Sequence, residues 1–139
     1  MMKTYDPKKV LISLGSHTVT GYSDGTFVSI EAAGDGISKK VGCDGEIVRS
    51  IDPDRSAKVT ITVLQTSPTV AHCQQLYDRD RETGEGTFPV IVKDLKGGLI
   101  FSAQDAWVTN TPGREFGKES ADREIVIDCG EATWEGEAV

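Results

Sequence analysis

Nucleophilic catalysis needs a serine or cysteine, a histidine to take its proton and a carboxylate to orient the imidazole. The chain has two histidines, His17 and His72, and three cysteines, Cys43, Cys73 and Cys129. His72 and Cys73 are sequence neighbours, and on a helix adjacent side chains diverge by about 100°, so they do not make a dyad. Cys73 falls on an apolar stripe and reads as a small core residue. His72 reads as a surface or interface histidine. No Cys-x-x-Cys pair or Cys/His cluster has zinc spacing. Asp52-Pro53-Asp54 lacks the glycine and distal glutamate of a calcium loop, and Gly97-Gly98 lacks the context of a phosphate loop. Paired glycosidase carboxylates stand on firm strands around an aromatic-rich cleft. Aromatic residues make up only 6% here, and Asp78, Asp80, Glu82 and Glu85 sit in a run that reads as a solvated loop. The expectation is no catalytic residue, no metal ligand and no cofactor.

The elements that would carry such residues are mostly strands. The 139 residues, 15.0 kDa in mass, are read as one domain, 1–139. Fifteen basic against 22 acidic residues give a net charge of −7, which argues against a general nucleic-acid binder. No apolar run approaches the ~20 residues that span a bilayer, and MMKTYDPKKVLISLG lacks a signal-peptide core. A soluble protein with neither membrane insertion nor an export signal is expected. Period-two alternation predicts strands at Val10–Leu14 and His17–Thr20, with Ser23-Asp24-Gly25 as a hairpin turn leading into Phe27–Ile30. In Ala57–Leu64, Val59, Ile61 and Val63 face one way and Lys58, Thr60 and Thr62 the other. Ser67 and Pro68 open a helix with Val70, Cys73, Leu76 and Tyr77 on its apolar side, ended by the loop Asp78–Gly86. Further strands are predicted at Phe88–Lys93, Gly98–Ser102, Ala106–Thr111 and Arg123–Cys129. Residues 33–46 carry glycines at 34, 36, 42 and 45. They read either as a floppy loop or as a long hairpin arm ordered by a neighbour. The fold class is mainly β: two packed sheets in a small barrel or sandwich, with one short helix.

The run Arg49–Pro68, RSIDPDRSAKVTITVLQTSP, resembles the central segment of tail tube proteins from long-tailed bacteriophages. Phe88–Gly98 follows in the family's order, then Ala106-Trp107-Val108 leading to Thr111-Pro112. Arg123–Ile127 is similar to the family's last strand. The resemblance implies a fold related to the type VI secretion tube protein, with a long hairpin arm. It implies a homo-oligomer: hexameric rings, joined edge to edge through their sheets and stacked into a hollow tube. It further implies that DNA passes the lumen without specific binding, and that sheath, baseplate and terminator proteins are the partners. The location implied is the virion tail, assembled in the host cytoplasm. Residues 33–46 occupy the inter-ring position, which makes Asp35, Gly36, Lys39, Lys40, Cys43 and Asp44 the expected contacts. Lys58, Thr60 and Thr62, with Asp54 nearby, are expected along the ring and lumen. An acidic balance suits a conduit for a polyanion, which a positive lumen would trap. The odd cysteine count leaves at least one thiol that is free or pairs with another chain, so Cys43 reads either as an unreacted thiol or as linked to Cys129 of a neighbouring subunit. The alternatives are the tube of a phage-derived bacteriocin or contractile injection machine, a monomeric β-sandwich binding module and, more distantly, a hydrolase on the same barrel.

Overall fold

The structure, a computed structural model, describes residues 2–136. In chain order its elements are β1 (Val10–Leu14), β2 (His17–Thr18), β3 (Val28–Ala32), β4 (Ile37–Val41), β5 (Ile47–Ile51), β6 (Ala57–Val63), α1 (Pro68–Thr83), β7 (Phe88–Asp94), β8 (Ile100–Val108), β9 (Arg123–Cys129) and β10 (Ala132–Glu135). Eight strands form one antiparallel sheet in the order β2-β1-β7-β8-β9-β6-β3, with β10 also on β8, while β4 and β5 form a separate ribbon.

The large sheet becomes a two-layered sandwich through β8. One edge of β8 pairs with β7; its other edge is shared, with Ile100–Ala103 against β10 and Ala106–Val108 against β9. Period-two alternation puts Ile12, Leu14, Val90, Val92 and Phe101 on the inner face of one half. Val59, Ile61, Val63, Ile125 and Ile127 line the inner face of the other, and both sets join one buried cluster. The path ends at β2 and β3, which do not pair with each other, so the sandwich forms and the closed barrel does not.

Several expected boundaries move. Gly98–Ser102 and Ala106–Thr111 are one strand, β8, not two. Phe88 faces Ala106 but Val90 faces Ala103, so β8 carries an extra residue at Gln104-Asp105. That bulge keeps both Phe101-Ala103 and Ala106-Val108 pointing inward and lets one strand serve two layers. Ser23-Asp24-Gly25 is not a hairpin turn: the chain on both sides of it pairs with β6, Tyr22 with Val63 and then β3, and Ser23 Oγ donates to Asp122 Oδ2 at 2.6 Å. The predicted His17–Thr20 strand stops at Thr18, with Val19 N–H returning to the Ile12 carbonyl.

The helix starts as expected, with Ser67 Oγ accepting from Thr69 N–H at 3.2 Å. It then continues through the charged segment to Thr83, because nothing before Gly84 breaks it. Gly84, at φ +73°, ends it in the left-handed region and donates its N–H to the Asp80 carbonyl. Cys73 lies in the core, with Val70, Leu76 and Tyr77 packed against it.

Candidate assembly surfaces

The β4–β5 ribbon is the long hairpin arm, and it is longer than residues 33–46. Its return strand runs to Ile51, pairing Ile37 with Ile51, Lys39 with Arg49 and Val41 with Ile47. Directly opposed residues share a face. One face therefore carries four aliphatic side chains around two cations, and the other carries Ser38, Ser50, Lys40 and Val48. Every residue of both strands is exposed. At the tip, Asp44 Oδ1 accepts from Glu46 N–H, and Cys43 is exposed.

The base of the arm is held by a network of carboxylates and backbone amides. Asp52 Oδ2 accepts from Asp35 N–H at 2.8 Å, and Gly36 O accepts from Asp52 N–H. Asp54 Oδ1 accepts from the Ser56 hydroxyl at 2.6 Å, which holds the exposed Asp54 carboxyl below its ordinary pKa. At Gly34 the chain passes so close to the Asp54 carbonyl that a Cβ would collide with it, so glycine is required.

The outer face of the second layer contains Lys58, Thr60 and Thr62. Lys58 is exposed, and Thr60 and Thr62 are half-buried. Register extends this surface across neighbouring strands. Glu31, Lys58, Asp128 and Trp107 form one row; Ser29, Thr60 and Val126 form the next; Thr62 stands beside Glu124. The wall thus holds the acids Glu31, Glu124 and Asp128 against the cation Lys58. Asp54 is not part of it. β3 has a partner on one edge only, because it ends the sheet.

Several candidate residues are not brought together. Cys43 is exposed at the arm tip, whereas Cys129 is 1% exposed inside the sandwich. Burial, with Asp128 adding its charge, pushes the Cys129 thiol up to about 11. Reaching it from another subunit would require β9 to leave the core. Burial likewise pushes Cys73 up to about 12, in keeping with its expected core role. His72 is half-buried rather than on the open surface: its ring stacks on His17 at 4.4 Å, and its Nε2 is buried without a partner among the described residues. His17 Nε2 lies 2.9 Å from Thr69 Oγ1. Burial, then the neighbouring His17, holds the His72 pKa below its ordinary value. Among the described residues, no cluster of three or more His, Cys, Asp or Glu could hold a metal ion, and no helix is long and apolar enough to cross a membrane.

Reading the arm as 33–46 omitted Ile47, Arg49 and Ile51. The β-branched run Ile47-Val48 after a Gly-containing turn was the available signal. The acids Glu31, Glu124 and Asp128 were also missed, because only strand pairing places them beside Thr60 and Thr62.

Comparison with known proteins agrees with this architecture. A curated relative, the "Structural protein ORF10" of Pseudomonas phage KPP10, is 29% identical over 140 residues, covering 95% of this chain and 81% of that protein. Among solved structures, the tube-terminating cap of the anti-feeding prophage superposes with a TM-score of 0.59 at 8% identity, over 98% of this chain and 93% of its own. A sheath–tube complex of the extracellular contractile injection system PVC, in the extended state, gives 0.59 at 12% identity, over 96% and 92%. Its sheath/tube terminator complex gives 0.61 at 11% identity, over 97% and 99%. At these identities the likeness is one of fold. The family profile described as Bacteriophage PhiTE tail tube protein matches residues 11–134. That match runs from β1 to β10 and takes in the sandwich, the helix and the arm, so this chain belongs to the PhiTE tail tube protein family.

Proposed function

We propose that this chain is the repeating, non-enzymatic subunit of a contractile phage's tail tube. Six copies join edge to edge into a ring, and rings stack into a hollow tube through which DNA leaves the particle. A sheath surrounds the tube, and terminator and baseplate proteins close its ends. The subunits assemble in the host cytoplasm and reside in the virion tail. The observation that carries this reading is the family match across residues 11–134.

The physical features support it. An unpaired edge such as that of β3 is an aggregation liability in a free monomer but a joining surface in a closed ring. The wall of Thr60, Thr62, Glu31, Glu124 and Asp128 suits a lumen that repels phosphate, with Lys58 partly offset by its acidic neighbours. Asp35, Gly36, Lys39, Lys40, Cys43 and Asp44 act through the arm, which reaches the adjacent ring. A second reading is the tube of a contractile injection particle of the bacteriocin type. It is favoured by structural neighbours that come from an anti-feeding prophage and an extracellular contractile injection system.

Negative-stain microscopy of the purified chain tests the reading. Sixfold rings or hollow tubes are expected, and a uniform population of 15.0 kDa particles at every concentration contradicts it.

A further inference from the structure

The two ends of the sandwich are closed differently. Helix α1 covers the end where β1 and β8 finish and β7 begins, and it places Cys73 in the core. At the opposite end, where β1 and β8 begin and β7 finishes, a cleft of about 600 Å³ opens between the layers. Tyr5, Val10, Phe27, Ile30, Val92 and Trp134 line it, and Asp94 stands at its margin. Tyr5 and Asp94 also border an adjoining cleft that carries Lys3 and Lys96. Tyr5 is 64% exposed and Trp134 45%, a large aromatic surface to leave in water.

The arm has the complementary pattern. Ile37, Val41, Ile47 and Ile51 are between 55% and 69% exposed, so most of the arm's apolar face is uncovered; only at its base do Ile37 and Ile51 border a cleft shared with the same chain's Trp134. Along that face the apolar pairs flank the cations Lys39 and Arg49, and the tip beyond carries Asp44 and Glu46. The clefts offer charges of opposite sign: Asp94 lines both, beside the apolar trough of one and beside Lys3 and Lys96 of the other.

We propose that the apolar face of the β4–β5 arm docks in this cleft on a second copy of the chain. Ile37, Val41, Ile47 and Ile51 meet Tyr5, Phe27 and Trp134. Lys39 and Arg49 approach Asp94, while Asp44 and Glu46 approach Lys3 and Lys96. Opposite charges favour this pairing over one that sets the arm's acids on Asp94. The contact rests on the tube reading and specifies which surface of the neighbouring subunit receives the arm.

The arm's own thiol supplies the test. Cys43 is exposed at the tip, whereas Cys73 and Cys129 are buried and unreactive. In assembled Lys96→Cys tubes, treatment with copper–phenanthroline should join Cys43 to position 96 of a neighbour. A disulfide requires Cα atoms within about 7 Å, so the bond reports close approach. Non-reducing gels should show a ladder in steps of 15.0 kDa, lost on adding reductant and lost in the Cys43→Ser, Lys96→Cys double variant. Glu82→Cys, exposed on the far helix α1, should give no ladder. Normal tubes with no ladder from Lys96→Cys, or an equal ladder from Glu82→Cys, overturn the docking site and leave the tube reading intact. A wild-type chain that forms no rings or tubes overturns both. As a second check, Glu46→Lys should reduce tube formation and Lys96→Glu should restore it in the same chain. Normal tube formation by Glu46→Lys, or a double variant no better than Glu46→Lys alone, also contradicts the contact.

Discussion

Strands β5 and β6 are built from similar residues and meet opposite fates. β6 contributes Val59, Ile61 and Val63 at 0% exposure, whereas Ile47 and Ile51 of β5 are 61% and 69% exposed. β-branched side chains favour an extended chain in both. What differs is the second layer: β6 lies in a sheet folded over on itself, while β5 has only β4. A lone two-stranded ribbon is at best marginally stable in water. The sandwich therefore carries its own stability, and the arm depends on what it touches.

The sharpest way to break that contrast is in the sandwich. Phe101 is fully buried and meets Trp134 edge-on with ring centroids 4.8 Å apart. Phe101→Ala should cost about 3–5 kcal/mol in a urea titration, with loss of soluble protein if the margin is small. Replacing residues 36–51 with a short Gly-Ser link should be far milder. The melting curve of the body should stay cooperative, yet no tubes should appear by microscopy. Ile47→Ala should change monomer stability by no more than about 0.5 kcal/mol, as for an ordinary surface site, while reducing tube yield. A large loss of monomer stability from Ile47→Ala would show that the arm packs within its own chain.

A smaller effect is expected where α1 meets the β1–β2 hairpin. Because the folded state holds the His72 pKa below the unfolded value of 6.5, the unfolded chain takes up the proton first as pH falls. The stabilising contribution is thus complete above about 6.5 and is lost as pH drops toward the folded-state value. Thermal melts between pH 7.5 and 5 should show a decline that His72→Gln makes shallower. A decline unchanged by that substitution would place the acid sensitivity elsewhere.

Much of the sandwich was legible because its signals are local. Val59, Ile61 and Val63 declare an inner face by alternation alone, and Ser67-Pro68 declares a helix start. Cys129 was legible too, since it shares the parity of Ile125 and Ile127, but the odd cysteine count drew it toward a cross-link. Three features read differently in the sequence and in the fold. The β8 bulge at Gln104-Asp105 looks like a break, because two consecutive polar residues interrupt the alternation. The helix end was set too early, because charges on an exposed helix face resemble a solvated loop until Gly84 is weighed. The His17–His72 stack joins residues far apart in sequence, and only the docking of α1 beside β2 brings them together. Among the assembly surfaces, polar Thr60 and Thr62 could be read from β6 itself. The acids beside them required the register of β3 and β9.

Hydrogen exchange, compared between dispersed subunits and assembled tubes, tests the division between body and arm most directly. Amides of β6 should be protected in both states, since their ladder with β3 and β9 is complete within one chain. Amides of Ile37–Val41 and Ile47–Ile51 should exchange rapidly in the subunit and become protected in the tube. Arm amides already slow in the subunit, or still fast in the tube, would contradict the claim that a second copy of the chain orders the arm.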